Sequence, residues 1–400
     1  MFPLTGRVRD YAWGDRHTIA DLLGVTPTGG PMAELWLGAH PGAPAQVTGT
    51  NRSLLDVVGA DPVNNLGAEV AERFGGLPFL LKVLAVEDPL SLQAHPSRDQ
   101  AAAGYAAEEK RGVPLEATER NYRDRNHKPE MICALSSFAA LCGFRPVPDS
   151  LRLLDALAVP ALDEHRRRLA EPDGLRAVVT ELLTRPGEET AALIAALGPA
   201  AQRLAQAGGP FAAEARWLHR LGQRYPGDPG VAIAVLLNLV ALAPGESMFL
   251  PAGRLHTYLH GVGVELLANS DNVLRGGLTG KHVDGAELLR VLDFTPAGVR
   301  PEPGTAHPHG SSTDVVYPSP VPDFQLHRLE LRATPIESPP GGPRVLLCVA
   351  GALRASGELA VAPLRRGDAA FVPAGTPLQL SGDPCATVFL ATVRSRSSKS

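Results

Sequence analysis

Two polar residues that are able to bind a metal stand close together in the segment Asp88–Pro96. Gln93 and His95 are two positions apart, so on a β-strand both side chains point to the same face. An amide oxygen and an imidazole nitrogen on one face make a pair of metal ligands, or an ordinary polar surface pair. The spacing alone leaves both interpretations open.

A second segment, Arg125–Met131, places a carboxylate next to apolar sequence. His127 and Glu130 are three positions apart, with Lys128 between them, and Pro129 excludes a normal helix interior. The alternative is a solvated turn. Here, however, the charges run directly into an apolar stretch, which predicts a carboxylate at the mouth of a buried strand.

An internal repeat identifies a third candidate. The segment Leu242–His256 aligns without gaps with Leu364–Leu378, and both contain the pattern L-x-x-G-[DE]-x-x-F-[LV]-P-A-G. The pattern predicts a turn, a short strand and a second turn, a unit typical of cupin-type jelly-roll barrels. The position after the second turn is His256 in the first copy and Leu378 in the second. We therefore predict one barrel that carries chemistry and one that is structural.

Together these segments supply two nitrogen and two oxygen ligands, from Gln93, His95, Glu130 and His256. Such a set suits zinc with a position left open for water or substrate, and ferrous iron and manganese are also chemically admissible. The sequence contains none of the H-E-x-x-H, Walker, G-x-G-x-x-G or G-x-S-x-G motifs.

A fourth segment, Val264–Asp284, mixes charged residues with glycine and asparagine turns. The segment contains Glu265, Asp271, Arg275 and Lys281. Charged residues in a turn-rich stretch usually lie on plain surface, but their density next to a predicted strand makes a pocket rim the alternative interpretation.

Lys82 lies inside the apolar run Leu77–Val86, which predicts a buried strand. A lysine in such a strand requires a partner or a route to water.

The composition excludes several classes of protein. The chain has 400 residues, with 38 Lys+Arg against 42 Asp+Glu and a net charge of −4. This balance gives no bulk attraction to nucleic acid or to an anionic membrane, so neither is expected as a partner. None of the four cysteines forms a C-x-x-C pair, and the first residues carry no apolar signal core. We therefore expect a cytoplasmic protein.

The pattern of residue types along the sequence predicts a mainly β protein with a helical insertion. Before Pro146 a single short helix, Arg98–Arg111, is expected, whereas apolar residues recur at helical spacing after Pro146. The predicted catalytic barrel consists of residues 1–148 and 231–295, and the helical insertion at 149–230 splits it in two. It is followed by a Pro/Gly-rich connection at 296–320, a metal-free barrel at 321–394 and a polar tail at 395–400.

Four segments together resemble the type I phosphomannose isomerases. They are Pro89–Pro96, Asn126–Met131, Pro244–His256 and Ser270–Lys281, in this order and with a helical segment between the second and third. The resemblance implies two cupin-like jelly-roll barrels plus an α-helical domain, and one Zn²⁺ per chain. It implies interconversion of mannose 6-phosphate and fructose 6-phosphate through an enediol or enediolate.

The resemblance also implies roles for individual residues. Zinc would be held by Gln93, His95, Glu130 and His256. Arg275 would be the active-site arginine, and the sugar-phosphate pocket would be lined by Ser91, Lys82, Lys128, Asp271, Glu265 and Lys281. Glu265, Asp271, Lys128 and His127 remain alternatives for the base, and the oligomeric state is open, a monomer being compatible.

Two other functions are compatible with some of these residues. An iron-dependent cupin oxygenase has an overlapping ligand set, but an apolar substrate would not need several cations around one cavity. A sugar-binding cupin without catalysis is disfavoured by the intact ligand set and by Arg275.

Overall fold

The computed structural model describes residues 1–185, 187–338, 341–356 and 363–394. Its strands, in chain order, are β1 (Phe2–Thr5), β2 (Arg7–Arg9), β3 (Glu34–Gly38), β4 (Gln46–Val47), β5 (Phe79–Val86), β6 (Leu92–Ala94), β7 (Glu130–Ala134), β8 (Phe138–Phe144), β9 (Leu237–Leu242), β10 (Ser247–Leu250), β11 (His256–Ala268), β12 (Leu274–Gly277), β13 (Thr305–His309), β14 (Ser312–Val316), β15 (Gln325–Leu331), β16 (Ile336–Ser338), β17 (Arg344–Ser356), β18 (Leu364–Arg365), β19 (Ala369–Val372) and β20 (Leu378–Thr392). The helices are α1 (Thr18–Leu23), α2 (Leu54–Ala60), α3 (Pro62–Leu66), α4 (Ala68–Phe74), α5 (Arg98–Arg111), α6 (Val147–Leu157), α7 (Asp163–Leu169), α8 (Gly174–Thr184), α9 (Gly187–Ala207), α10 (Ala212–Arg224), α11 (Pro229–Ala234) and α12 (Gly285–Val291), with a 3-10 turn at Pro160–Leu162.

The strands form two antiparallel sheets of ten strands each, and twelve helices accompany them in the part of the chain that the structure describes, so the predicted combination of antiparallel β-structure with helices is present. The site sheet runs β10-β7-β11-β5-β3-β2, with β6, β8, β9 and β12 attached to it. The second sheet runs β13-β14-β15-β20-β17-β19-β1-β4, with β16 and β18 attached. Both sheets contribute to one core, in which Met131 and Val264 of the site sheet are buried together with Phe324 and Phe371.

The long strand β11 positions most of the site. His256 at its start is paired with Gln93 on β6, and Glu265 further along is paired with Lys82 on β5. His256 and Glu265 are an odd number of residues apart, which in a regular strand would place them on opposite faces. A register shift after Tyr258 changes the alternation, as a β-bulge does.

The internal repeat has the predicted backbone in both copies. Gly245 and Gly367, at the first turn, both have positive φ angles, of 88° and 91°. The short strands β10 and β19 follow. His256 and Leu378 then open the long strands β11 and β20.

The helical insertion also follows the sequence pattern. Six helices, α6 to α11, succeed one another, and their buried leucines such as Leu153 and Leu197 form one apolar cluster with Leu92 and Leu141 of the site sheet. Among the described residues, no helix has the length and apolarity needed to cross a membrane.

Three expectations need correction. The chain before Pro146 contains five helices instead of a single one. The sequence pattern does not indicate the helices α1 to α4, because they are only five to seven residues long and three of them lie in a stretch rich in small residues. The predicted connection 296–320 contains the hairpin of β13 and β14, whose first strand is exposed and therefore lacks apolar alternation. The strands β1 and β4 join the second sheet, although residues 1–148 are predicted to belong entirely to the catalytic barrel. The predicted tail 395–400 lies outside the described residues.

Candidate active site

Three buried side chains from different strands meet at one point. His95 Nε2 lies 3.2 Å from Glu130 Oε1, and His256 Nε2 lies 3.3 Å from Glu130 Oε2. One ligand atom from each residue lies within 4.8 Å of the others, and all three residues are buried. These residues come from the strand β7, the start of β11 and the turn after β6, so the fold brings together segments that are distant in the sequence.

The hydrogen bonds of the two imidazoles leave lone pairs at the meeting point. His95 Nδ1 lies 2.7 Å from the Asn272 carbonyl and His256 Nδ1 lies 2.9 Å from the Arg254 carbonyl, so each Nδ1–H donates to a backbone oxygen. In the neutral tautomer that these bonds select, Nε2 of each ring carries a lone pair and faces a carboxylate oxygen, which also carries only lone pairs. Among the described residues, His95 Nε2 and Glu130 Oε2 have no hydrogen-bond partner.

The protonation states also fit a cation at this point. Burial lowers the pKa of His95 to about 4, so its imidazole is neutral, which is the form that binds a metal. Burial opposes the charge of Glu130, but His95 and Lys128 hold its pKa well below the usual range. Buried lone pairs that face one another without a proton between them are stabilised by a bound cation, so the donor set fits Zn²⁺.

Gln93 completes the candidate ligand set. Its amide nitrogen lies 3.4 Å from His256 Nε2, and rotation of the amide by half a turn brings the oxygen to this position. The structure therefore brings Gln93, His95, Glu130 and His256 together, as the sequence predicts.

A chain of buried polar groups lies beside this centre. Lys82 Nζ is 3.3 Å from Glu34 Oε2 and 3.5 Å from Glu265 Oε2. The Tyr258 hydroxyl donates to Glu265 Oε1 over 3.0 Å. Lys82 also lies 4.6 Å from the centre of the Trp36 ring.

Burial and neighbouring charges shift the pKa values of Lys82 and Glu265. Burial disfavours the ammonium of Lys82, but Glu34 and Glu265 more than offset it, so the pKa of Lys82 is raised. Burial and the negative charge of Glu130 raise the pKa of Glu265 from 4.5 to about 7.

These groups open into a cavity of about 980 Å³, which is also lined by Ser91, Lys128, Asp271, Arg275 and Lys281. The volume is sufficient for a sugar phosphate. The cavity therefore contains every residue that the sequence assigns to the pocket.

A group of cations occupies the region of the cavity lined by Arg275 and Lys281. Burial and the nearby charge of Arg123 lower the pKa of Arg275, and burial followed by Arg275 and Arg123 lowers the pKa of Lys281. Arg275 Nε has no hydrogen-bond partner among the described residues. Cations that repel one another in a cavity favour a bound anion.

Lys128 and Asp271, two further residues of the cavity, each contact another ionisable side chain. Lys128 Nζ lies 3.1 Å from Glu130 Oε1, so Lys128 points at the metal centre. Asp271, whose side chain is 49% exposed, lies 3.3 Å from His40 Nε2. Burial opposes the charge of Asp271, but His40 lowers its pKa, so Asp271 is ionised at neutral pH.

Sequence reasoning and structure differ at a few residues. His127, one of the four base candidates, is not among the residues that line the cavity and instead contacts Arg98 and Asp323. Glu34 has no signal in the sequence, because it is a single carboxylate far from the other motifs. Arg123 did have a signal, since it lies four residues before His127 in an arginine-rich stretch.

Known proteins resemble the chain over nearly its full length. Residues 1–147 match the family model described as phosphomannose isomerase type I, catalytic domain. The chain is 39% identical to mannose-6-phosphate isomerase of Salmonella typhimurium, over 96% of this chain and 97% of that protein. It is 34% identical to mannose-6-phosphate isomerase of Homo sapiens, over 95% of both.

The structural comparison agrees with the sequence comparison. The crystal structure of mannose 6-phosphate isomerase from Salmonella typhimurium bound to its substrate fructose 6-phosphate and to zinc superposes with a TM-score of 0.87 and 34% identity. The superposition covers 99% of this chain and 100% of that chain.

Proposed function

The chain belongs to the family of type I phosphomannose isomerases, and on that premise we propose how its side chains carry out the reaction. It is a zinc-dependent isomerase that interconverts mannose 6-phosphate and fructose 6-phosphate. The two alternatives, an oxygenase and a sugar-binding cupin, are not favoured. The observation that carries the assignment of roles is the meeting of buried lone pairs from His95, Glu130 and His256 at the wall of a cation-lined cavity.

We assign zinc to Gln93, His95, Glu130 and His256. When bound, zinc supplies a Lewis acid that polarises an oxygen of the substrate. The two backbone carbonyls that accept from His95 and His256 fix the ring orientations, and such support is a general requirement of metal sites.

Glu265 is the proposed base. Isomerisation moves a carbonyl from C1 to C2, so the proton on C2 must be abstracted and a proton delivered to C1. The C2–H electrons form the C1=C2 double bond of the enediol, and the former carbonyl oxygen on C1 receives a proton. The hydroxyl on C2 then gives up its proton as its oxygen becomes the new carbonyl, while the double-bond electrons take a proton at C1. A carboxylate whose pKa is about 7 accepts and returns a proton near neutral pH. Asp271, with its lowered pKa, is a weaker base, and we assign it to a sugar hydroxyl.

The cations have different tasks. Lys82 is enclosed by Glu34 and Glu265, so we assign it to hold the Glu265 carboxylate rather than to bind phosphate. Arg275 and Lys128 stabilise the negative charge that develops on the enediolate oxygen.

The phosphate requires a separate group of side chains. Lys281 and Arg123 are assigned to it, together with the Ser91 hydroxyl. Because the phosphate does not react, its binding energy serves to orient the sugar.

Several broader features are also proposals. We propose that each sheet forms a cupin-like jelly roll, with the domain boundaries given above adjusted for β1, β4 and the hairpin of β13 and β14. A cytoplasmic location is supported by the cysteines, all four of which are free thiols.

A coupled assay tests the function. Purified protein loaded with zinc receives mannose 6-phosphate, and the fructose 6-phosphate formed is measured. Glucose 6-phosphate is the control substrate. We expect turnover of mannose 6-phosphate, and an enzyme that is inactive with this substrate while fully loaded with zinc contradicts the proposal.

A further inference from the structure

A buried carboxylate next to the second sheet reaches toward the metal centre. Asp323 lies two residues before β15 and is 0% exposed. The adjacent Phe324 is also fully buried, in the core shared by the two sheets. The position of Asp323 is therefore fixed by packing on the side of the molecule that carries no metal-ligand candidate among the described residues.

The carboxylate contacts two segments that lead to metal ligands. Asp323 Oδ1 lies 3.2 Å from Arg98 Nη2 and 3.1 Å from His127 Nε2. Arg98 follows His95 by three positions, and His127 precedes Glu130 by three positions. One oxygen atom thus holds together the chain after one ligand and the chain before another.

The three groups form a closed arrangement. Arg98 Nη2 lies 2.8 Å from His127 Nε2, in addition to its contact with Asp323. Arg98 therefore donates to Asp323, while His127 either donates to Asp323 or accepts from Arg98, depending on its tautomer. In both cases the His127 ring is held, and Lys128, the next residue, is directed at Glu130.

The burial of Asp323 makes the arrangement costly to disturb. A fully buried carboxylate is tolerated only when it is paired. The second oxygen of Asp323 has no hydrogen-bond partner among the described residues, so the contacts of Oδ1 with Arg98 and His127 must compensate for the burial of the charge. The side chain of Arg98 is 52% exposed, so without the carboxylate it is free to turn into solvent. His127 would then lose its contact with Asp323, the only acidic side chain that it contacts among the described residues.

We infer that Asp323 is a positioning residue for the metal centre, through which the second sheet fixes the segments that carry His95 and Glu130. The inference rests on the proposed function for its kinetic consequence, but its consequence for metal affinity is independent of turnover. It assigns to the side of the molecule without metal ligands a direct role in building the site.

The variant Asp323→Asn removes the charge and keeps the shape. Competition with a chelator measures its affinity for zinc, and steady-state kinetics separate kcat from KM. Groups bonded directly to metal ligands change affinity by about 10–100-fold. Asp323 acts through residues three positions from His95 and Glu130, so we expect a loss at the lower end of that range, about tenfold, with a parallel fall in kcat and a smaller change in KM.

The matched control is Asp314→Asn. Asp314 also pairs with a histidine, His327, at 3.0 Å, but this pair joins the strands β14 and β15 within the second sheet, away from the segments that carry the candidate ligands. We expect zinc affinity within about twofold of the parent protein for this control. An Asp323→Asn variant whose zinc affinity stays within the same range as the control overturns the inference.

A second variant covers the case in which Asp323→Asn does not fold. Arg98→Gln removes the other end of the contact at a half-exposed side chain. A loss of zinc affinity supports the inference, and parental affinity overturns it. If the parent protein binds zinc but does not isomerise mannose 6-phosphate, the proposed function fails, whereas the zinc affinities still decide the role of Asp323.

Discussion

The ion pair between Lys82 and Glu265 sets the pH at which the proposed base loses its proton. Lys82 Nζ is 3.5 Å from Glu265 Oε2, and both groups are buried. In a medium of effective dielectric constant about 20, this distance corresponds to an attraction of about 5 kcal/mol, or a shift of about 3.5 in the pKa of the carboxyl. Lys82→Met removes this attraction, and Glu34, which Lys82 now neutralises, adds repulsion.

The groups that face Glu265 determine the sign of the effect. Burial and the charges of Glu130 and Glu34 raise its pKa, whereas Lys82 and Lys128 lower it. The base must be deprotonated, so kcat/KM of the parent protein rises with pH through about 7. Zinc bound at Glu130 would offset the negative charge of Glu130 and so lower the pKa of Glu265. The pH at which kcat/KM rises would then be lower in the zinc-loaded enzyme, but by the same amount in the parent protein and in the variant.

We expect the ascending limb of kcat/KM to move upward by about 1 to 3 pH units in Lys82→Met. The assay is the coupled formation of fructose 6-phosphate from pH 5 to pH 10, with zinc content measured in parallel. Lys82→Arg is the control, because it keeps the positive charge. A limb that moves by less than about 0.3 pH units at unchanged zinc content refutes the assignment of Glu265 as the base held by Lys82.

Four other results are expected. His256→Ala loses zinc and activity, while Leu378→Ala, at the equivalent repeat position and 6% exposed, destabilises the fold by about 2 to 5 kcal/mol without changing zinc content; zinc retention by His256→Ala, read by metal analysis, contradicts this. Exhaustive chelation inactivates the enzyme and added zinc restores it; an enzyme indifferent to chelation would exclude the metal role. Arg123→Gln raises KM for mannose 6-phosphate by about tenfold, since a charged hydrogen bond contributes about 1.5 kcal/mol or more, whereas Arg111→Gln leaves KM unchanged; equal KM values in both variants argue against a phosphate contact. The folded-state pKa of Glu265 is raised from 4.5 to about 7, so its contribution to the free energy of unfolding is present below pH 4.5 and is lost as the pH rises through 7, at a cost of about 3 kcal/mol. Urea unfolding of the metal-free proteins at pH 5 and pH 8 should show this loss in the parent protein but not in Glu265→Gln. The same pH dependence in both proteins speaks against the raised pKa.

The candidate ligand set could be proposed from the sequence because each member has a local signature. Gln93 and His95 share a strand face, Glu130 opens an apolar run, and His256 differs from Leu378 at the same position of a repeat. Local spacing and internal comparison are properties of the chain itself, and the structure places these side chains where the patterns require. The resemblance then joined the four segments into one site.

The supporting residues were not predictable in the same way. Glu34 and Tyr258 act on the site through strand pairing and a bulge, and neither leaves a pattern in neighbouring residues. Asp323 follows Pro322 in a segment that resembles any turn, and its contacts with Arg98 and His127 span 225 and 196 positions. Such pairings depend on the register of distant strands, which single-sequence periodicity does not contain.

The hairpin of β13 and β14 shows why the sequence of residues 296–320 indicates only a connection. All five residues of β13 face solvent, including Pro308, so the segment has neither apolar alternation nor strong strand propensity. Its place in the sheet is set by backbone pairing with β14, which in turn pairs with β15. Here neighbouring strands override the composition.

The first strand has a consequence for biosynthesis. Leu4 on β1 is paired with Ala369 on β19, so β1 has no partner on that side until the ribosome has added 365 further residues. Contacts of such long sequence separation slow folding, and unpaired strand edges promote aggregation. Nascent chains that stop before residue 369 should therefore depend on chaperones, and truncation before β19 should yield insoluble protein rather than a smaller active enzyme.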